Sequence, residues 1–458
     1  VQTFKVETLS HSEILDHAQQ ASQSGNWTLV SQCLYQLLLS EDASTVRKSL
    51  FAEPQTANTL LTLALQTLEF GNFQDRWDVA KVFPSFGSDA FPLELHTAVI
   101  APLIDLLQDD DADPEAQWFV IRILGEFNHP QVVTALIEVL KASDNEDLNS
   151  MTVTALAQMG NPTIPVLSDL LDDESTRLFA VQTLGHIRHS ETVPFLLNVV
   201  DDPDAQVRAI AIDALGSFHS PKITEILINA LKDPATAVRR AAVSALGFCT
   251  PSDMENIDVV ACLKPMLRDF NVDVCCHSAI ALSRLGTPLA ADALYEVLRS
   301  PYTPERLSLE IIRALAWIGL PEALEYLHQS LTDLTLPEAA RLEIVTALGR
   351  IEAPHLKEQA THILLGLLDQ DSANTASIRQ AISLSLGQLG NKRAIPPLIQ
   401  LLADPDVGVR LHIISALKTL DAASAHQILE EYLKTESPDS ELRKGIAIAL
   451  QEWTVHHP

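Results

Sequence analysis

The stretch DPATAVRRAAVSALG, Asp233 to Gly247, sets the reading of the whole chain. Asp233-Pro234 reads as a helix start, a capping oxygen followed by Pro at the first helical position. Val238, Ala242, Ala245 and Leu246 then fall on one face at helical spacing, and Gly247 closes the helix. The same plan stands one period earlier in DPDAQVRAIAIDALG, Asp202 to Gly216, and again in DPDVGVRLHIISAL, Asp404 to Leu417. Aligned on the Leu near the end of this helix, the anchors are Leu124, Leu156, Leu184, Leu215, Leu246, Leu282, Leu315, Leu348, Leu386, Leu417 and Leu450, at steps of 28 to 38 residues. A period in this range marks a stack of small supersecondary units rather than a globular domain around a pocket.

Between anchors lies a second helix, as in SPKITEILINALKD (220–233) and NKRAIPPLIQLLAD (391–404). Leu227 with Ala230 and Leu231, or Leu398 with Leu401 and Leu402, make its inward stripe. Each unit is therefore a helical hairpin that cannot bury its own apolar face and is stabilised by stacking on its neighbours. The expected fold is all-α, an α-α superhelix of about 11–12 hairpins, with residues 1–70 as an N-terminal helical cap and 71–458 as the repeat region ending in a capping helix.

An Arg recurs seven residues before the anchor, at Arg177, Arg208, Arg239, Arg341, Arg379, Arg410 and Arg443. Recurrence in so many units argues against catalysis. It argues for a guanidinium that ties repeat junctions together by pairing with their Asp side chains or carbonyls.

With these residues in view, the pattern D-P-x-x-x-V-R-x-x-A-x-x-A-L-G resembles HEAT repeats, in particular the short variety named after phycobilisome lyases. The resemblance covers roughly residues 72 to 450 and is strongest at 202–247 and 371–417. It implies a superhelix whose second helices line the concave side. Its members include scaffolds, adaptors and subunits of enzymes that attach or remove bilin chromophores, so it implies no single activity. DRWDVAKVFPSFGSDAF, around Trp77 and Gly87, departs from the pattern and reads as a degenerate early unit.

Composition narrows the partners. The 458 residues carry a formal charge of −29, and 47% of them are apolar. Such a surface repels a phosphate backbone and an anionic membrane face, so no nucleic-acid partner and no membrane insertion are expected. No apolar run is long enough to span a bilayer. The segment VQTFKVETLSHSEILDHAQQ lacks the basic end and apolar centre of a signal peptide. Five cysteines without a regular framework point to a reducing compartment, with the cytoplasm as the default.

Catalytic signatures are absent from the sequence: no Gly-x-Ser-x-Gly elbow, phosphate-binding Gly-Lys loop, Gly-x-Gly-x-x-Gly turn or His-Glu-x-x-His helix. His186 and His189 read as turn histidines, and Asp109, Asp110 and Asp111 as loop charge. Four of the five cysteines, Cys249, Cys262, Cys275 and Cys276, cluster with His277, and thiolate and imidazole are ligands for zinc or iron-sulfur centres. Their spacing matches no familiar knuckle, and helical cysteines are commonly small buried hydrophobes. No cofactor is expected.

The next repeats hold Tyr295, Tyr302, Trp317 and Tyr326. Aligning second helices on Leu227, Leu263, Leu294 and Leu327 places Lys264, Arg268, Tyr295, Arg299 and His328 away from the core, as candidate partner-binding residues. Tyr and Arg are common interface anchors. The alternative is that Tyr295 packs between adjacent helices. The expected function is a non-catalytic scaffold or adaptor that binds a protein partner, basic or chromophore-bearing, on its concave face. The alternatives are a bilin lyase or isomerase, or a chaperone of chromophore proteins, with a metal- or cluster-handling protein behind them.

Overall fold

The computed structural model describes residues 10–39, 43–87, 93–109, 111–250, 257–333, 336–368 and 375–454. Among these every regular element is a helix, giving the all-α hairpin solenoid class expected from the period. Asp110 and residues 88–91 of the early degenerate segment lie outside the described residues. The chain forms two compact units, Val1–Leu215 and Gly216–Pro458.

The first unit runs from His11–Gln23 to Ala205–Leu215, and its repeat helices Pro114–Leu124, Glu146–Met159 and Glu174–Ile187 alternate with second helices such as Pro130–Ala142 and Ile164–Leu170. In the second unit the first helices are Thr236–Leu246, Val272–Leu285, Glu305–Ile318, Glu338–Gly349 and Ala376–Leu389, and each packs on the next. The second helices between them are Val259–Leu263 with the 3₁₀ turn Lys264–Arg268, Pro288–Leu298, Pro321–Thr332 and Pro354–Leu368. They stack in a parallel layer.

The core follows the anchors. Every anchor from Leu124 to Leu417 is fully buried, and each such Leu stabilises the stack by about 1.5–3 kcal/mol. Leu450, in the last described helix, is only half-buried. Val238, Ala242, Ala245 and Leu246 are buried as the periodicity predicts, whereas Ala230 and Leu401 on the second helices are half-exposed. After the anchor the helices close tightly. A Cβ on Gly247 would stand 2.8 Å from Ala281 Cα, and one on Gly349 2.5 Å from Ser385 Cβ. Glycine there permits the close approach.

The Asp-Pro pair does not start the helix. Thr236–Leu246 begins two residues beyond Pro234, and Asp233 Oδ1 accepts from the Ala235 N–H at 2.7 Å. Asp404 does the same for Asp406 N–H at 2.8 Å, and Asp406 is the N-cap. The pair makes an Asx turn. Being outside the helix, its carbonyls are left for a side chain, and the recurrent Arg takes them. Arg239 donates to Asp233 O and Pro234 O, both at 2.9 Å, and Arg410 donates to Asp404 O and Pro405 O. Arg208 donates to Asp202 O and Pro203 O. The remaining donors hold the Asp of the next repeat: Arg177 to Asp202, Arg239 to Asp269 at 2.8 and 2.9 Å, Arg379 to Asp404.

In three repeats where the Arg is replaced, another side chain takes a junction carbonyl. Gln117 donates to Leu107 O and Asp109 O, Asn149 to Ser143 O, and the Cys275 thiol to Asp269 O at 3.3 Å. In the degenerate early unit the buried Arg76 donates to Leu68 O and Glu69 O and pairs with Asp113 and Glu115. Sequence reasoning overlooked Arg76, because Phe83 replaces the anchor Leu seven residues on and no Asp-Pro precedes it.

The Arg239 guanidinium holds the Asp269 carboxyl below the usual carboxylate range. A depressed folded value contributes stability that is present above the unfolded pKa, about 3.9, and is lost as pH falls through the folded value. Arg239→Ala should therefore lower unfolding stability by about 2–3 kcal/mol at pH 7, the loss of hydrogen bonds to a charged group, in urea titrations followed by circular dichroism. The gap from the parent should shrink below about pH 4.

Candidate functional site

The five residues singled out in the sequence lie on three consecutive second helices of the second unit, held by the buried leucines Leu263, Leu294 and Leu327. Lys264 and Arg268 both reach Glu296 on the neighbouring helix, at 2.6 and 2.9 Å. Hydrogen bonds from Lys264 and then Arg268 hold the Glu296 carboxyl below its ordinary value. Two cations share one carboxylate, so the group keeps a positive excess. Arg299 caps the Pro288–Leu298 helix, is exposed, and forms no ion pair among the described residues.

Tyr295 is half-buried. Its ring stacks on Tyr326 of the next second helix, with centroids 4.3 Å apart and planes at 4°. Its hydroxyl donates to Gln329 Oε1 at 3.1 Å, while Tyr326 donates to Asp292 on the Tyr295 helix. That hydrogen bond pushes the Tyr326 phenol up. One face of Tyr295 therefore does pack between helices, and the crossed pair of hydroxyl bonds fixes both rings. His328 turns away from this pair. Its Nδ1 stands 3.7 Å from Glu325, and with Leu331, Thr332, Ile363 and Leu367 it lines a narrow crevice.

Further along the same layer a cleft of about 430 Å³ is lined by His355, Glu358, His362, Leu365, Asn391 and Arg393. Arg393 pairs with Glu358 across it. The sequence reading missed this cleft because the anchor alignment marks core positions and says nothing about the width between neighbouring second helices. It also set His328 beside Tyr295, where the structure sets Tyr326 and Gln329. The layers are offset by part of a helical turn, and a strict residue alignment does not carry that offset.

The cysteines are not brought together with His277. Cys275 and Cys276 are buried in the Val272–Leu285 helix, Cys249 lies 4.0 Å from Thr224 Oγ1, and His277 Nδ1 is bonded to Asp273 O. Among the described residues no three His, Cys, Asp or Glu side chains converge as a metal site. Burial pushes the Cys275, Cys276 and Cys262 thiols up. His186 and His189 serve their turn: His186 Nδ1 bonds Gln182 O and His189 caps the following 3₁₀ helix.

A family model described as HEAT repeats matches residues 100–178, 164–247, 224–310 and 372–451, well over half of the chain. Among solved structures, one showing Kap95p binding to RanGDP superposes with a TM-score of 0.54 at 15% identity, covering 98% of this chain and 64% of that chain. This chain thus spans less than two-thirds of that neighbour. A homology model of the full-length AP-3 complex gives 0.50 at 12% identity, covering 97% of this chain and 90% of that one. At such identities the likeness is one of fold. No curated protein matches. No helix among the described residues is long and apolar enough to cross a membrane.

With their thiols buried and raised, Cys275 and Cys276 should resist iodoacetamide in the native protein at pH 8, as should the buried Cys33. Cys249 should be modified first, followed by Cys262, which is half-buried but whose thiol is also pushed up, as read by peptide mass spectrometry.

Proposed function

Because the chain belongs to the HEAT-repeat family, we propose that it is a non-catalytic scaffold or adaptor that holds a protein partner on the second-helix layer of its second unit. The observation carrying this reading is the Tyr295–Tyr326 stack, fixed by Gln329 and Asp292 and flanked by Lys264, Arg268 and Arg299. Rigid aromatic rings beside exposed guanidinium groups supply contact area at low entropy cost. Both signs of charge stand on this layer, since Asp292, Glu325 and Glu358 accompany the cations. It therefore suits a folded partner of mixed charge, while the net −29 of the chain speeds encounter with a basic one. The Kap95p neighbour, which binds RanGDP, supports a folded protein as the kind of ligand.

In the same reading the layer is the concave face, His328 and the 355–393 cleft extend the contact, residues 1–70 cap the repeats, and the protein works in the cytoplasm. The bilin-lyase subtype rests on the repeat pattern alone, and no side-chain arrangement among the described residues of the second unit favours it. Under the scaffold reading a free bilin keeps its absorption spectrum when mixed with the protein.

The partner is identified by affinity capture from the native cell extract, then bound to purified protein. The double variant Tyr295→Ala with Arg299→Ala should weaken that binding at least about 10-fold while the far-ultraviolet circular dichroism spectrum of the folded protein stays the same. Capture unaltered by the double variant sinks the assignment.

A further inference from the structure

A second surface runs along a different edge of the second unit. Two residues beyond the anchors Leu246, Leu282, Leu315 and Leu348 stand Phe248, Arg284, Trp317 and Arg350, aromatic and cationic in strict alternation over four successive repeats. Two pairs of adjacent repeats show contact in this register. The Arg284 guanidinium lies over the Phe248 ring at 4.2 Å, and in the first unit the equivalent residues Gln158 and Glu126 are hydrogen-bonded at 2.8 Å. The close approach after the anchor, at Gly247 against Ala281, brings these positions together.

None of the four side chains is used by the core. Phe248 is 56% and Trp317 77% exposed, and Arg284 and Arg350 are exposed with no ion pair among the described residues. An exposed large indole beside unneutralised guanidinium groups, in an acidic protein, is a surface arranged for a ligand. The edge is formed by the ends of first helices, so it is separate from the second-helix layer described above.

The spacing selects the ligand. Packed helices lie about 8–10 Å apart, so one residue of the row recurs at that interval. A polyproline II chain rises 3.1 Å per residue with three residues per turn, and repeats the same side every about 9 Å. A β-strand turns alternate residues to opposite sides and cannot keep that phase. We propose that the edge bearing Phe248, Arg284, Trp317 and Arg350 binds an extended polyproline II segment with acidic side chains six residues apart. The carboxylates pair with Arg284 and Arg350, and the proline midway between them packs on Trp317.

The test uses the full chain and a fluorescently labelled ten-residue proline peptide with Glu at its second and eighth positions, titrated by anisotropy. Saturable binding is expected. It should weaken at least about 10-fold in Trp317→Ala and in the double variant Arg284→Ala with Arg350→Ala, and it should fall with added salt. Tyr295→Ala should leave it unchanged, which separates this edge from the second-helix layer. The exposed carboxylates of Glu322, in the first turn of the helix after Trp317, and of Glu352, in the connection after Arg350, would instead favour a peptide carrying Lys at the same two positions. Preference for the Lys peptide, binding indifferent to Trp317→Ala, or no saturation up to about 1 mM overturns the proposal.

Discussion

The junction between one hairpin and the next leaves backbone carbonyls outside the helices, without helical partners. In most of the repeats a side chain at one fixed position donates to them. Arg is the best solution because one planar group can donate to two carbonyls and still reach a carboxylate in the following repeat. Arg239 does all of this, bonded to Asp233 O, Pro234 O and both oxygens of Asp269. Gln117, Asn149 and Cys275 meet only the carbonyl requirement. The hydrogen bond is thus the recurrent feature, and the ion pair is an addition that these three repeats lack.

This ordering explains what could and could not be read from the chain. The period, the anchor leucines and the junction arginines are legible because each is the residue type that a fixed environment demands. Arg76 was hidden because its environment is the same but its sequence frame is not: Phe83 and Phe86 fill the core where a Leu would stand. The Asp-Pro pair was misread as a helix start because an Asx turn and an N-cap use the same side-chain oxygen two residues apart. Only the position of the Arg, which needs the Asp and Pro carbonyls outside the helix, tells the two apart.

The candidate site was legible in its residue types and less so in its contacts. Alignment on Leu294 and Leu327 set Tyr295 away from the core; in the structure it is half-buried, with one face on Tyr326. It could not show that Tyr326, one residue before its own anchor, would lie under Tyr295 at 4.3 Å. Nor could it show that Glu296 would take both Lys264 and Arg268. Lateral contacts depend on the offset between adjacent helices, a property of packing that no single repeat encodes.

A solenoid turns a position in the repeat into a row in space, and rows behave differently according to how their members interact. Along the junction row each residue is consumed by the stack, so its identity is constrained toward Arg. Along the row two residues past the anchor, the first unit spends Gln158 on Glu126, a contact of no wider use. The second unit instead leaves Trp317 and Arg350 open. Because the backbone already fixes the interval, changing one side chain per repeat alters the chemistry of the row without disturbing the fold. Surfaces of this kind can be gained on one edge while another edge keeps its own partner, since the anchors that hold both remain buried.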